Sequence, residues 1–314
     1  MANDAACVLV TGGSGFIGTW VLRELLTRGA RSVVVDLQPA PQRWQRVLGE
    51  RAKDVVCADA SLLDCDGLQR VIDKHSVTHV IHLAALLTPA CQADPWLGCQ
   101  VNVLGSTSVF EAARRSQQIR SVSYASSYAV YGDEVEHCDS PVENIPPTFY
   151  GAFKQAVDLI ADQYWRHCNL ASVAIRPHVV YGPERDQGLT AGPSLAARAA
   201  AMGECYSIGY TGCVGYDYVE DVARAFVRAA FERTDGATVV DLPSERATTE
   251  EFVRAIEGVV PKAVGTIRID GPEIPTNISP TPRDITTLFP DWKPTSLLEG
   301  VRQTVDFYRT GVTS

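Results

Sequence analysis

The sequence predicts an α/β fold, a doubly wound parallel sheet with a small, partly discontinuous C-terminal cap, on three observations. Short apolar runs alternate with amphipathic stretches through the first half, the pattern of a parallel sheet covered by helices. A glycine-rich loop, Thr11-Gly-Gly-Ser-Gly-Phe-Ile-Gly18, follows the first apolar run and opens the first amphipathic stretch. After Pro177 the alternation loosens, with Pro183, Gly188, Gly192 and Pro193 marking a loop-rich region. Together these describe a Rossmann-type half followed by a smaller structure built from later loops.

The predicted elements follow in order. Strands are expected over 7–11, 32–36, 54–58, 79–83, 120–126 and 171–176, and helices over 16–28, 66–75, 95–115 and 149–167. Residues 195–201 look helical, and a second βα-like unit returns over 219–231 and 238–242. Thr248-Thr-Glu-Glu251 offers a helix start with acids in its first turn, where the helix dipole favours them. The proline-rich stretch 261–294 is expected to be irregular or short-stranded, and 296–308 a closing helix. This divides the chain into a dinucleotide domain, 1–176 with 219–260 returning to it, and a substrate cap from 177–218 and 261–314.

Composition narrows the function. The chain has 314 residues, 46% hydrophobic and 21% charged, ordinary for a globular protein. Its formal net charge of −9 argues against a nucleic-acid or anionic-membrane surface. There is no apolar run of about 18 residues, and the N-terminus has no basic segment of the signal-peptide kind. Nine scattered cysteines without a C-x-x-C pair read as reduced thiols of a cytoplasmic protein, with no metal site expected.

The glycine loop carries the cofactor expectation. Gly12 suits a tight turn, Gly15 lets the backbone approach a pyrophosphate, and Gly18 permits close helix–strand packing. The helix start then offers N–H groups and a positive dipole end to the phosphates. Asp36, ending the second strand, can accept hydrogen bonds from the adenosine ribose and repel a 2′-phosphate. Leu37 and Gln38 follow it with no arginine beside them, so NAD is expected in preference to NADP.

Tyr150 and Lys154 stand one helical turn apart on one face. A tyrosine with its usual pKa of about 10 is a poor base at neutral pH. A neighbouring ammonium is expected to stabilise the phenolate and lower that value. Ser126 and Ser127 end the fifth strand, where sheets of this kind bind ligands, and could hold a substrate oxygen.

These pieces in register resemble an extended short-chain dehydrogenase/reductase, the group that includes the NAD-dependent epimerases and dehydratases. The matching segments are the glycine loop, Asp36, Ala58-Asp59, His82-Leu-Ala-Ala85, Asn102-Val-Leu-Gly105, the Ser-Ser…Tyr-Gly segment, Tyr150/Lys154 and Arg176-Pro-His-Val-Val-Tyr-Gly-Pro183. Val219-Glu-Asp-Val-Ala223 and Trp292-Lys-Pro294 complete them. The resemblance implies NAD held by Gly12, Gly15, Phe16, Ile17, Gly18, Asp36, Asp59, Ala60, Leu83, Ala84, Ala85, Asn102, Tyr150, Lys154, Pro177 and Val180. It implies Ser127, Tyr150 and Lys154 as the catalytic group, and a homodimer paired through the helices expected at 95–115 and 149–167.

The chain departs from the nucleotide-sugar pattern at two positions. Val179 stands where such members usually carry Asn, and Val214 where they often carry Arg, which removes natural partners of a diphosphate. Arg283 is a cation that could compensate. The preferred reading is therefore an NAD-dependent dehydrogenase of a small sugar, sugar acid or polyol. Thr88, Ser126, Ser127 and His178 are its expected substrate contacts. An epimerase using the same three residues is the alternative, and a non-catalytic NAD-sensing regulator a second. Tyr128 and Ala129 replace the Asp-Glu pair usual after the catalytic position in dehydratases, which sets dehydration aside.

Overall fold

A computed structural model describes residues 6–132, 145–232, 235–274 and 283–310. Contacts divide the chain into two units.

The first unit comprises residues 1–130, 146–176 and 223–240. Strand β1 (Cys7–Thr11) leads into α1 (Phe16–Thr27), β2 (Arg31–Val35), α2 (Pro41–Leu48), β3 (Val56–Cys57), α3 (Cys65–His75) and β4 (His79–His82). Two short helices, α4 (Thr88–Ala93) and α5 (Pro95–Cys99), precede α6 (Ser106–Arg115) and β5 (Ser121–Ala125). Helix α7 (Phe149–Cys168) and β6 (Ser172–Arg176) follow. With β10 (Ala237–Asp241) at its edge, the strand order β10-β6-β5-β4-β1-β2-β3 places β1 and β4 side by side at the point where the winding reverses, which is where open α/β sheets bind ligands. The strands β1 to β6 pair in parallel, Leu9 beside Val33 and Val80, and Val122 beside Ser172. Leu68, Ile72, Phe110, Val122, Tyr124 and Val157 form the packed interior on one face. Each such side chain contributes roughly 1.5–3 kcal/mol by leaving water.

The helix expected over 95–115 is interrupted: residues Gln100–Gly105 form a π-helical segment between α5 and α6. Helix α2 lies where the sequence analysis places no element; Pro41 opens it at its first position, where a missing N–H is harmless.

The second unit takes residues 131–145, 177–222 and 241–314. Its described elements are β7 (Val179–Tyr181), α8 (Gly192–Met202), β8 (Tyr206–Ile208), β9 (Cys213–Tyr218) and the start of α9 (Val219–Phe231). After β10 (Ala237–Asp241), which crosses from the first unit, come β11 (Glu245–Thr248), α10 (Thr249–Val259), β12 (Ile267–Ile269) and α11 (Leu297–Thr310). The strands form a sheet β11-β9-β7 and a pair β12-β8. Tyr181 meets Phe252 edge-on at 5.2 Å between ring centroids, and Tyr216 meets Phe252 at 4.8 Å, in the interior of this unit. Residues 241–260, assigned from the sequence to the dinucleotide half, lie here instead. The reason is antiparallel pairing of β11 with β9 and packing of α10 against α11 and α8, long-range contacts that local pattern does not carry. The Thr248 hydroxyl and Glu251 carboxylate close a reciprocal capping box at the start of α10.

Candidate active site

The glycine loop is shaped by what its residues lack. Gly12 holds φ +73°, and a Cβ there would come within 2.7 Å of the Ala84 backbone nitrogen. At Gly18 a Cβ would strike the Gly12 carbonyl oxygen, so α1 packs on the strand end only with glycine present. Gly15 caps α1 without a side-chain hydrogen bond, so no side chain stands between the helix start and the loop. The Ser14 hydroxyl in the same loop is buried and has no hydrogen-bond partner among the described residues. A cradle closed to side chains, the positive end of a helix and an orphaned hydroxyl all fit a dinucleotide pyrophosphate. Asp36 accepts the Ser14 N–H at 3.0 Å and the Gln38 N–H at 3.3 Å, which sets its carboxylate beside the loop.

Across the switch point, Leu83, Ala84 and Ala85 continue from β4 and are half-buried, and Phe16 and Ile17 open α1. His82 joins the two strand ends: Thr11 Oγ1 lies 2.6 Å from Nδ1 and Ser106 Oγ 2.9 Å from Nε2. Burial holds His82 neutral, lowering its pKa to about 3. Asp59 is exposed beyond β3, while Ala60 packs against the interior. Asn102, expected at the cofactor, is buried on the π-helical segment. Its amide accepts the Leu86 N–H at 2.8 Å and donates to the Leu86 carbonyl at 2.9 Å, so it holds the loop after β4. Two buried backbone groups demand partners there, and a side-chain amide supplies both.

Ser127, Tyr150 and Lys154 come together at the end of β5. Thr148 caps α7 through the Gly151 N–H at 3.1 Å. A Cβ on Gly151 would strike the Ala129 carbonyl, so α7 starts hard against the turn Tyr128–Val130 that follows Ser127. The Ser127 hydroxyl is hydrogen-bonded to Tyr150 and accepts the Ala129 N–H at 3.1 Å. Lys154 donates from Nζ to the Ala125 carbonyl at 2.6 Å and lies 5.6 Å from the centre of the Tyr150 ring.

The expected lowering of the tyrosine by lysine is not what this arrangement produces. Burial pushes Tyr150 up to about 12, against a lowering by the Ser127 hydrogen bond. Burial also lowers Lys154 to about 8, opposed by Asp158. The ammonium is anchored to a carbonyl over the ring face, and desolvation of the phenolate outweighs what charge it lends.

Ser126 is corrected as a substrate contact. Its hydroxyl donates to Asp158 at 2.9 Å within a buried cluster in which Tyr124 also bonds Asp158 at 3.1 Å and Arg176 pairs with it at 2.5 Å. Strand alternation directs Ser126 towards α7, which leaves Ser127 for the site. Sequence reading missed this cluster; Asp158, one turn beyond Lys154 on the same face, was the available signal. Thr88 opens α4 and is half-buried.

Pro177, His178 and Val180 belong to the second unit. There the His178 N–H donates to the Asp217 carboxylate at 2.7 Å, and its ring packs on Gly215, where a Cβ would approach within 2.9 Å. Burial lowers His178 to about 3 and raises Asp217 to about 7. Val214 is buried in β9 opposite Ala247. Arg283 exchanges backbone hydrogen bonds with Asp241, its N–H meeting the carboxylate at 2.9 Å.

A parallel sheet ordered about a β1/β4 switch point, with this loop and this Ser-Tyr-Lys group, defines a dinucleotide-dependent enzyme of the extended short-chain dehydrogenase/reductase kind. The chain belongs to the NAD dependent epimerase/dehydratase family, whose sequence model matches residues 8–240, and NAD is its cofactor. It is 29% identical to a UDP-glucose 4-epimerase of Mycolicibacterium smegmatis, over 96% of this chain and 98% of that one. Among solved structures it is similar to the UDP-glucose 4-epimerase of Thermus thermophilus in complex with NAD, with TM-score 0.73, 26% identity, and 96% and 99% of the two chains covered. It is also similar to a UDP-N-acetylglucosamine 4-epimerase of Methanobrevibacter ruminantium in complex with UDP-N-acetylmuramic acid, with TM-score 0.79, 25% identity, and 98% and 99% covered. These relatives are epimerases, the alternative rather than the preferred reading of the sequence. No described helix is long and apolar enough to cross a membrane, and no metal-binding group occurs among the described residues.

Proposed function

We propose that the chain is an NAD-dependent epimerase acting on a secondary hydroxyl of a nucleotide-linked sugar. The observation that carries this reading is full-length correspondence to a UDP-glucose 4-epimerase in a chain whose Ser127, Tyr150 and Lys154 meet at one strand end. NAD, when bound, supplies the hydride acceptor and donor. The chain's residues handle position and protons. Tyr150 acts through its phenolate, which takes the proton of the reacting hydroxyl as that carbon is oxidised and gives the same proton back to the same oxygen on reduction. Ser127 steadies that oxygen. Lys154, anchored at Ala125, supplies charge beside Tyr150 and a donor to the nicotinamide ribose. The glycine loop, Asp36, Asp59 and Ala84–Ala85 hold the dinucleotide, and Thr88 is a substrate contact in this reading.

The test is incubation of the purified chain with UDP-glucose, UDP-glucuronate or UDP-N-acetylglucosamine, followed by proton NMR of the sugar. The expected result is conversion to the 4-epimer with no net NADH. NADH accumulating with a free sugar acid or polyol, and no epimer from any nucleotide-sugar, would overturn it. That outcome is the second reading, a small-substrate dehydrogenase, which Val179 and the buried Val214 favour by removing diphosphate partners. A cytoplasmic homodimer completes the proposal. Trp96, Leu104, Phe149 and Leu159 leave large apolar surfaces exposed on the helical segments expected to pair. Light scattering should read twice the 34.0 kDa chain mass.

A further inference from the structure

The tyrosine of the acid–base group stands where a helix is weakest. Tyr150 is the second residue of α7, inside a first turn whose N–H groups have no partners within the helix and which frays before the rest. Lys154, one turn on, is past that hazard. Thr148 fastens the third N–H of the turn, that of Gly151. The first is fastened from another element: the Phe149 N–H donates to Gln92 Oε1 on α4 at 2.8 Å.

Helix α4 is only six residues long, too short to hold itself in water, so its neighbours hold it. Cys91 is fully buried, and its thiol donates to the Leu86 carbonyl and accepts from Asn102 Nδ2, both at 3.4 Å. Gly98 of α5 lets three helices meet: a Cβ there would come within 2.9 Å of the Phe153 ring on α7 and 3.2 Å of the Cys91 sulfur. Gln92 therefore projects from a seated helix, and it stands one turn after Thr88 on α4.

We propose that Gln92 is a positioning residue for Tyr150, an external cap from α4 that keeps the first turn of α7 wound and the phenol at Ser127. Water satisfies the Phe149 N–H when the amide is removed, but water does not tie it to a fixed point. Because α4 opens at Thr88, one short helix joins the expected substrate contact to the start of the acid–base helix. This rests on Tyr150 being the acid–base group and is indifferent to whether the enzyme epimerises or oxidises.

Two measurements on the full chain with NAD test it, and the first needs no turnover. With tyrosine carrying carbon-13 at Cζ, the Tyr150 resonance is identified by its absence from Tyr150→Phe, and Ser127→Ala marks where it moves when the serine bond is lost. Gln92→Met, which keeps the side-chain length and removes the amide oxygen, should carry the resonance part of the way to that mark, and Gln92→Ala should do the same. Thermal unfolding of each variant separates a moved phenol from a lost fold. The second measurement is turnover of the sugar that the chain accepts. There Gln92→Met should lower kcat by about tenfold, less than the roughly 10²-fold of a full ångström of misplacement, with KM held within about twofold. Gln92→Glu, which keeps an acceptor, should recover most of that loss. A Tyr150 resonance unmoved in a folded Gln92→Met chain would overturn the proposal, whether or not any nucleotide-sugar is turned over, as would a moved resonance with unchanged kcat.

Discussion

Tyr150 and Lys154 illustrate how much a short motif implies and how much it omits. Spacing of one helical turn puts phenol and ammonium on one face, and they do lie together, 5.6 Å from nitrogen to ring centre. What spacing leaves out is desolvation, which carries Tyr150 to about 12 and Lys154 to about 8. Replacing Tyr150 by Phe should lower turnover by about 10²- to 10⁴-fold, the usual worth of a positioned acid–base group, while NAD affinity stays nearly unchanged. Unaltered rates for that variant would remove the tyrosine from the mechanism. Lys154 yields a pH signature. Its ammonium persists below pH 8 and is lost above it, so kcat should decline on an alkaline limb with an apparent pKa near 8. Lys154→Arg should push that limb upwards; a limb that stays in place assigns it to another group.

At the scale of elements, the joint between β5, α7 and β6 rests on one buried ion pair. Asp158 receives Arg176, Ser126 and Tyr124, and it sits on the helix that carries Tyr150 and Lys154. Asp158→Ala would leave the Arg176 charge buried without its carboxylate, and such losses cost about 3–5 kcal/mol. Urea unfolding should show a loss of that size; one below about 1 kcal/mol would mean that Arg176 finds another solution. The glycine loop makes the complementary point. Gly18→Ala places a methyl group into the Gly12 carbonyl, so α1 must move off the strand end and NAD binding should fail before the fold does. Both outcomes are readable by thermal unfolding with and without NAD. The loop was legible because its glycines answer a local steric demand. Helix α2 and the Asp158 cluster were not, because one depends on docking to the loop and the other on three segments meeting.

For the whole molecule the buried imidazoles decide the response to acid. His82 and His178 have pKa values lowered to about 3 and His79 to about 4, from an ordinary value of 6.5. Between those limits the unfolded chain binds more protons than the folded one, so stability falls as pH drops below 6.5. Asp217 acts in the other sense. Raised to about 7, it binds its proton more tightly when folded, and its contribution is lost as pH rises from 3.8 through 7. Three imidazoles against one such carboxyl predict a net loss on acidification. The midpoint of urea unfolding should fall between pH 7 and pH 5, and Asp217→Asn should steepen that fall. A midpoint that rises over this interval would show that the histidines are not held neutral.

The chain's own order of residues was sufficient for the βα alternation, the dinucleotide loop, Asp36 and the pairing of Tyr150 with Lys154. Each of these is written in short-range periodicity or in a steric demand met by one residue type. Tertiary structure alone decided that 241–260 joins the second unit, that Ser126 turns away to Asp158 while Ser127 meets Tyr150, and that Arg43 returns to the turn beside Asp36. Those outcomes depend on burial and on partners distant in sequence, and a side chain's charge, direction and company are properties of the packed surroundings that the local pattern does not contain.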